Sequence, residues 1–214
     1  MEAIDAALPS TDGLACFNRM YLGVTQDVLA SIKQTMFADA EWMSRLDVTF
    51  ANLYFDAVNA LTTDPDHIPV AWRPLMQRRA QRAIEPIQFA LAGMNAHINH
   101  DLPVAVYATC LALDTHPEDV PHHDDYLKVD VLLDAAEQTV RRSFESGVEL
   151  DIDHHARACA NLVANWSMNE AREMAWDTAL ALWRTRSVEL VHEMFLSSLG
   201  RTVALASRCL LVEV

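Results

Sequence analysis

The chain has 214 residues with 30 acidic and 16 basic side chains, a formal charge of −14, and is 51% hydrophobic and 21% charged. This is the composition of one globular domain with a sizeable core; it excludes wholesale disorder. The charge argues against nucleic acid as a partner and against docking on an anionic membrane, and no apolar run reaches the roughly 20 residues of a membrane span.

Residues 1–10 read as a loose N-terminal arm, without the basic and apolar segments of a signal peptide. Thr11 or Asp12 can cap a first helix running to about Met36, because Leu14, Phe17, Tyr21, Val24, Val28 and Ile32 recur at three- and four-residue spacing. Asp39 starts a second helix ending near Leu61. Within it, Asn52, Asp56 and Asn59 form a polar stripe that is either solvated surface or the lining of a buried site. The prolines of 62–69 make a loop. A short basic segment follows with Arg73, Arg78, Arg79 and Arg82, which either pair with carboxylates elsewhere or clamp an anionic group.

The chain is organised around residues 88–103, QFALAGMNAHINHDLP, where an apolar run leads into two histidines, two asparagines and an aspartate. Buried polar groups are costly unless each finds a partner, so this stretch marks the candidate site. In a helix, Ala90, Met94, His97 and Asp101 share one face, His100 flanks it, and Asn95 and Asn99 form an i, i+4 pair beside it. Pro103 lacks an N–H, so the carbonyl of Asn99 loses its partner. The helix must kink near Pro103, or Asp101 must cap a new one.

Residues 115–123 read as a loop, with His122 and His123 expected at the surface. A helix is expected from about Asp124 to Ser146, and another from near Asp153. Ser167 and Glu170 have the spacing of a capping box opening the next helix, and a last helix runs from about Ser187 towards Leu210. No alternating strand pattern appears. The expected fold is all-α: one compact domain over 11–214 with about seven to nine helices. Cys16, Cys110, Cys159 and Cys209 stand singly, which suits reduced thiols in a cytoplasmic protein.

Three readings of the central cluster stay open. His97, His100 and Asp101 could ligate zinc or iron, with Asp125 and Asp56 supplying further ligands from across the bundle. Without metal, Asp101 could fix the tautomer of His97 and make it a general base. The third reading is a satisfied polar network that holds the bend. Glu189 and His192 give a single ExxH spacing, where di-iron bundles need two.

The motifs QFALAGMNAHINHDLP, FANLYFD, DDYLKV and AREMAW resemble those of a bacterial family, common in actinomycetes, that is catalogued as a domain of unknown function. The resemblance carries Asn52, Tyr54, Asp56, Gly93, Asn95, His97, Asn99, Asp101, Pro103, Asp125, Tyr126, Arg172 and Trp176 as motif positions. Asp130 departs from it, standing where the family has an amide. It implies a helical domain and a setting in small-molecule or specialised metabolism, with no established reaction.

The expected function is a small-molecule enzyme of cyclase, lyase or hydrolase type. His97, Asp101 and His100 would be catalytic. Asn95 and Asn99 would donate to a developing oxyanion, and Asn52, Asp56 and Tyr126 would contact substrate. A homo-oligomer is compatible with this reading. The competing class is a non-catalytic ligand-binding or interaction module.

Overall fold

Three- and four-residue apolar spacing becomes helix throughout the computed structural model, which describes residues 1–31, 36–145 and 167–213. Among the described residues there is no strand, and the expected all-α architecture holds. The expected helix near Asp153 lies outside the described residues. Residues 2–7 are not a loose arm. They form α1 (Glu2–Ala7), packed against α2 (Gly13–Ser31) and tied to it by Asn18 Nδ2 donating to the Met1 carbonyl at 3.1 Å. Asp12 is the residue that caps α2, accepting from Leu14 N at 2.9 Å. Asp39 likewise caps α3 (Ala40–Thr63), accepting from Trp42 N.

A short 3₁₀ turn (Pro65–His67) and α4 (Arg73–Arg78) lead into α5 (Pro86–Ala96), a π turn (His97–Asp101) and α6 (Leu102–Leu113). The arginines of this region mostly hold carbonyl ends. Arg73 donates to Ile68 and Asp66 carbonyls, Arg78 to that of Leu211, and Arg79 pairs with Asp12 at 3.5 Å. α7 (His122–Glu145), α8 (Met168–Thr185, capped by Ser167) and α9 (Glu189–Leu210) complete the described helices.

The α5–π–α6 rod is the centre of the packing. α5 lies against α2 and α9, and α6 against α3 and α8. Gly93 permits one close approach, since a Cβ there would stand 2.3–2.8 Å from Cδ2, Cγ and Cβ of Phe17. Gln88 is fully buried in an apolar helix, and α9 explains it. Its Nε2 donates to the carbonyls of Leu210 and Val212 at 2.7 and 2.9 Å, and its Oε1 accepts from Glu85 N.

The central helix is interrupted near Pro103 as expected, and the interruption takes the form of a wider turn. No side-chain cap forms at Asp101. Instead one wider turn is inserted before the proline, with Leu102 N bonding back to the His97 carbonyl. An i→i−5 turn carries one extra residue, so the hydrogen-bond ladder is re-phased where the proline interrupts it. Such turns recur at functional sites.

Candidate functional site

The π turn places three of the predicted residues together. Asp101 is buried, and its carboxylate is a hub. Oδ2 accepts from Trp72 Nε1 at 2.9 Å and faces His97 Nδ1 at 3.1 Å, while Oδ1 faces His100 Nδ1 at 2.8 Å. An ionised carboxylate only accepts, so both imidazoles present Nδ1–H to it, and in a neutral His97 ring this leaves the lone pair on Nε2. Burial works to raise the Asp101 carboxyl, but the hydrogen bonds from His100 and His97 outweigh it and hold Asp101 below the ordinary carboxylate range. Burial lowers the His97 imidazole below its ordinary value, against the opposing pull of Asp101. The pair is therefore a carboxylate and a neutral imidazole at neutral pH.

His97 sits in an aromatic enclosure that the sequence pattern presents only as core. Phe50 stacks on it, ring centroids 3.7 Å apart and 8° from parallel. Tyr21 lies at 4.7 Å, and Phe17, Tyr54 and Trp72 at about 6 Å. Phe17 and Tyr21 come from α2, Phe50 and Tyr54 from α3, and Trp72 from the turn before α4. Phe17, Tyr54 and Trp72 are fully buried, whereas Tyr21 and Phe50 are half-buried. Burial pushes the hydroxyls of Tyr21 and Tyr54 up, so both stay neutral phenols. Tyr54 donates to Asn18 Oδ1 at 3.0 Å. His97 Nε2, deep in this enclosure, has no hydrogen-bond partner among the described residues.

The other predicted site residues are placed elsewhere. Asn95 does not offer its amide to a reacting group. Its Nδ2 donates to the Val203 carbonyl and Ser207 Oγ, both at 2.9 Å, and its Oδ1 accepts from Asn99 Nδ2 at 2.9 Å. These two asparagines fasten α9 to the rod. Asn52 and Asp56 are exposed on the outer face of α3, the solvated alternative for that stripe. Tyr126 is a strut between α7 and α8: its hydroxyl donates to the Arg172 carbonyl at 2.7 Å, and the Arg172 guanidinium lies over its ring at 4.2 Å. Arg172 also pairs with Asp130, which gives that acidic residue a structural role.

The same geometry does not gather the residues of the metal reading. Asp125 accepts from the backbone of Ala38 and Asp39 and from Lys128, so it holds the start of α3 and does not join His97, His100 and Asp101. Asp101 has both oxygens engaged, and the Nδ1 atoms of both histidines point at it. Among the described residues no group of three or more His, Cys, Asp or Glu side chains is disposed to hold a metal ion.

Sequence reasoning missed Trp72 and the aromatic enclosure. Trp72 lies 29 residues before Asp101, outside any helical spacing. The available signal was chemical, because a buried indole N–H needs an acceptor. His122, expected at the surface, is buried and stacked on Trp42 at 4.5 Å.

Fold and site together define an all-helical domain that encloses an ionised carboxylate between two histidines and an indole. Residues 1–213 match the family described as Family of unknown function (DUF5995), and the chain belongs to that family. Neither a curated protein nor a solved structure matches the chain. No helix among the described residues is long and apolar enough to cross a membrane.

Proposed function

We propose that the chain is a cytoplasmic enzyme of small-molecule metabolism, of cyclase, lyase or hydrolase type, with His97 as its acid–base residue and Asp101 as the group that orients it. One observation supports this reading above the others: His97 Nε2 is a buried lone pair without a partner among the described residues, while Nδ1 is fixed on an ionised carboxylate. Most buried nitrogens are satisfied, the Trp183 indole being another exception, and leaving one bare costs about 1–3 kcal/mol. In a dyad the bare nitrogen takes the substrate's proton, and the carboxylate stabilises the imidazolium that forms. Trp72 and His100 keep Asp101 in place. Because His97 is desolvated, it is neutral and ready to accept, and the imidazolium it becomes is driven to pass the proton on. Substrate approaches past Tyr21 and Phe50, the half-buried members of the enclosure.

The test compares wild type with His97→Asn, whose amide can keep the bond to Asp101 while Nε2 is removed. Both proteins are incubated with small-molecule cell extract, and consumed and formed compounds are read by mass spectrometry, with melts run alongside. The expected result is at least one conversion made by wild type and not by the folded variant. Identical extracts from two equally stable proteins would sink the enzyme reading. The Asn95–Asn99 tie to α9 favours a second reading, a non-catalytic binding module. Its outcome is a retained compound that wild type binds unchanged and His97→Asn does not bind.

A further inference from the structure

We infer that the molecule His97 receives is a small cation, a tertiary ammonium with one N–H and an apolar body. This rests on the proposed site and concerns what enters it. The unpartnered Nε2 is an acceptor, so its ligand must bring a donor. Behind it stands Asp101, held ionised at 3.1 Å from Nδ1 of the same ring. Around the imidazole stand Phe17, Tyr21, Phe50, Tyr54 and Trp72, their centroids 3.7–6.1 Å from its own, and a wall of aromatic rings favours positive over negative charge. No lysine or arginine stands among these lining residues, the Tyr54 hydroxyl donates to Asn18, and the Trp72 N–H donates to Asp101. An anion would meet a carboxylate and π faces with no cation to balance it.

A neutral alcohol satisfies Nε2 equally well but gains nothing from Asp101 or the rings. A primary ammonium brings three N–H groups to a single acceptor, which leaves two buried donors short of partners. One N–H with alkyl groups on the remaining valences matches one lone pair inside an aromatic wall. The net charge of −14 draws such cations towards the protein.

Four probes of similar size separate the terms: N,N-dimethylbenzylammonium (charged, one N–H), benzyltrimethylammonium (charged, no N–H), benzyl alcohol and phenylacetate. Binding to full-length wild type is followed by calorimetry and by the ¹⁵N resonance of His97 Nε2. The expected result is that N,N-dimethylbenzylammonium binds about tenfold or more tightly than each of the other three and moves that resonance. In His97→Asn its advantage over the trimethyl probe should vanish. The alcohol or the carboxylate binding as tightly as the amine, with the His97 signal displaced, overturns the assignment of charge and leaves the acid–base site standing. A trimethyl probe as tight as the dimethyl one shows that Nε2 is not the recognised acceptor and overturns the inference. If none of the four displaces the His97 resonance at millimolar concentration, the inference falls together with the site. These wild-type readings decide the matter even if the variant fails to fold.

Discussion

His97 and His122 look alike by every coarse measure. Both are buried, both stack nearly parallel on an aromatic ring, and both face a carboxylate. They differ at the second nitrogen. His122 has Nδ1 at 2.9 Å from the His116 carbonyl, which ties it to the 116–122 loop, and its Nε2 stands beside a carboxylate, 3.4 Å from Asp39 Oδ2 at the start of α3. His97 has its Nδ1 placed and its Nε2 bare. Burial and an acidic neighbour therefore do not separate an architectural histidine from a chemical one; the inventory of each nitrogen does.

The largest expected effect breaks the hub that only His97 shares. Asp101→Asn puts an NH₂ where an oxygen accepts, so it confronts the indole and imidazole donors with another donor. Removing one partner from such a buried set costs about 3–5 kcal/mol. The melting temperature should fall on the order of 10 °C, at about 2–4 °C per kcal/mol for this chain length. A melt within two degrees or so of wild type would show that the hub is not formed. Next comes the wall. Gly93→Ala drives a methyl into the stem of Phe17, at a cost of about 1–3 kcal/mol from overpacking, partly offset by roughly 1 kcal/mol of helix propensity. Its ¹⁵N spectrum should also show a displaced His97, and an unshifted spectrum would mean that α5 moves as a whole instead.

The comparison is sharpened by a matched pair. His97→Asn and His122→Asn remove the same ring atoms from similar stacks, but only the second takes Nε2 away from a neighbouring carboxylate. Chemical denaturation should place His122→Asn about 1 kcal/mol lower than His97→Asn. Equal losses, or a greater loss at His97, would mean that Nε2 of His97 has a partner after all. The smallest effect is with pH. The folded-state value of His97 is lowered, so the unfolded chain binds the proton first as pH falls through about 6.5, and stability declines from there towards the folded value. Between pH 7 and 6 the wild-type loss relative to His97→Asn should be under about 1 kcal/mol. A wild-type stability that instead falls relative to His97→Asn as pH rises through this range would reverse the assigned direction.

The helices were legible because their signals are local. Asp39 and Ser167 cap where their sequence positions indicate, and the apolar spacing of α2 and α3 sets which faces turn inward. The cluster was legible as a place, since polar residues in the apolar run 88–103 had to meet something. Its division of labour was not, because that depends on elements far along the chain. Asn95 reads as a free amide until Val203 and Ser207 arrive from α9, and Asp125 reads as a possible ligand until the backbone of 38–39 takes both its oxygens. His122 was misplaced for the same reason, as Trp42 lies 80 positions upstream and no local pattern announces the stack.

The π turn at His97–Asp101 has one more consequence, for how the chain tolerates changes of length. The wider turn takes up its extra residue locally, so Leu102, Ala105, Val106 and Cys110 face the interior in the phase that a helix one residue shorter would give them. Removing one residue from 97–101 would close the turn without re-aiming that row, but it would return Pro103 to an ordinary α turn it cannot complete. A residue added elsewhere in the rod has no such outlet and would turn everything beyond it by about 100° around the axis.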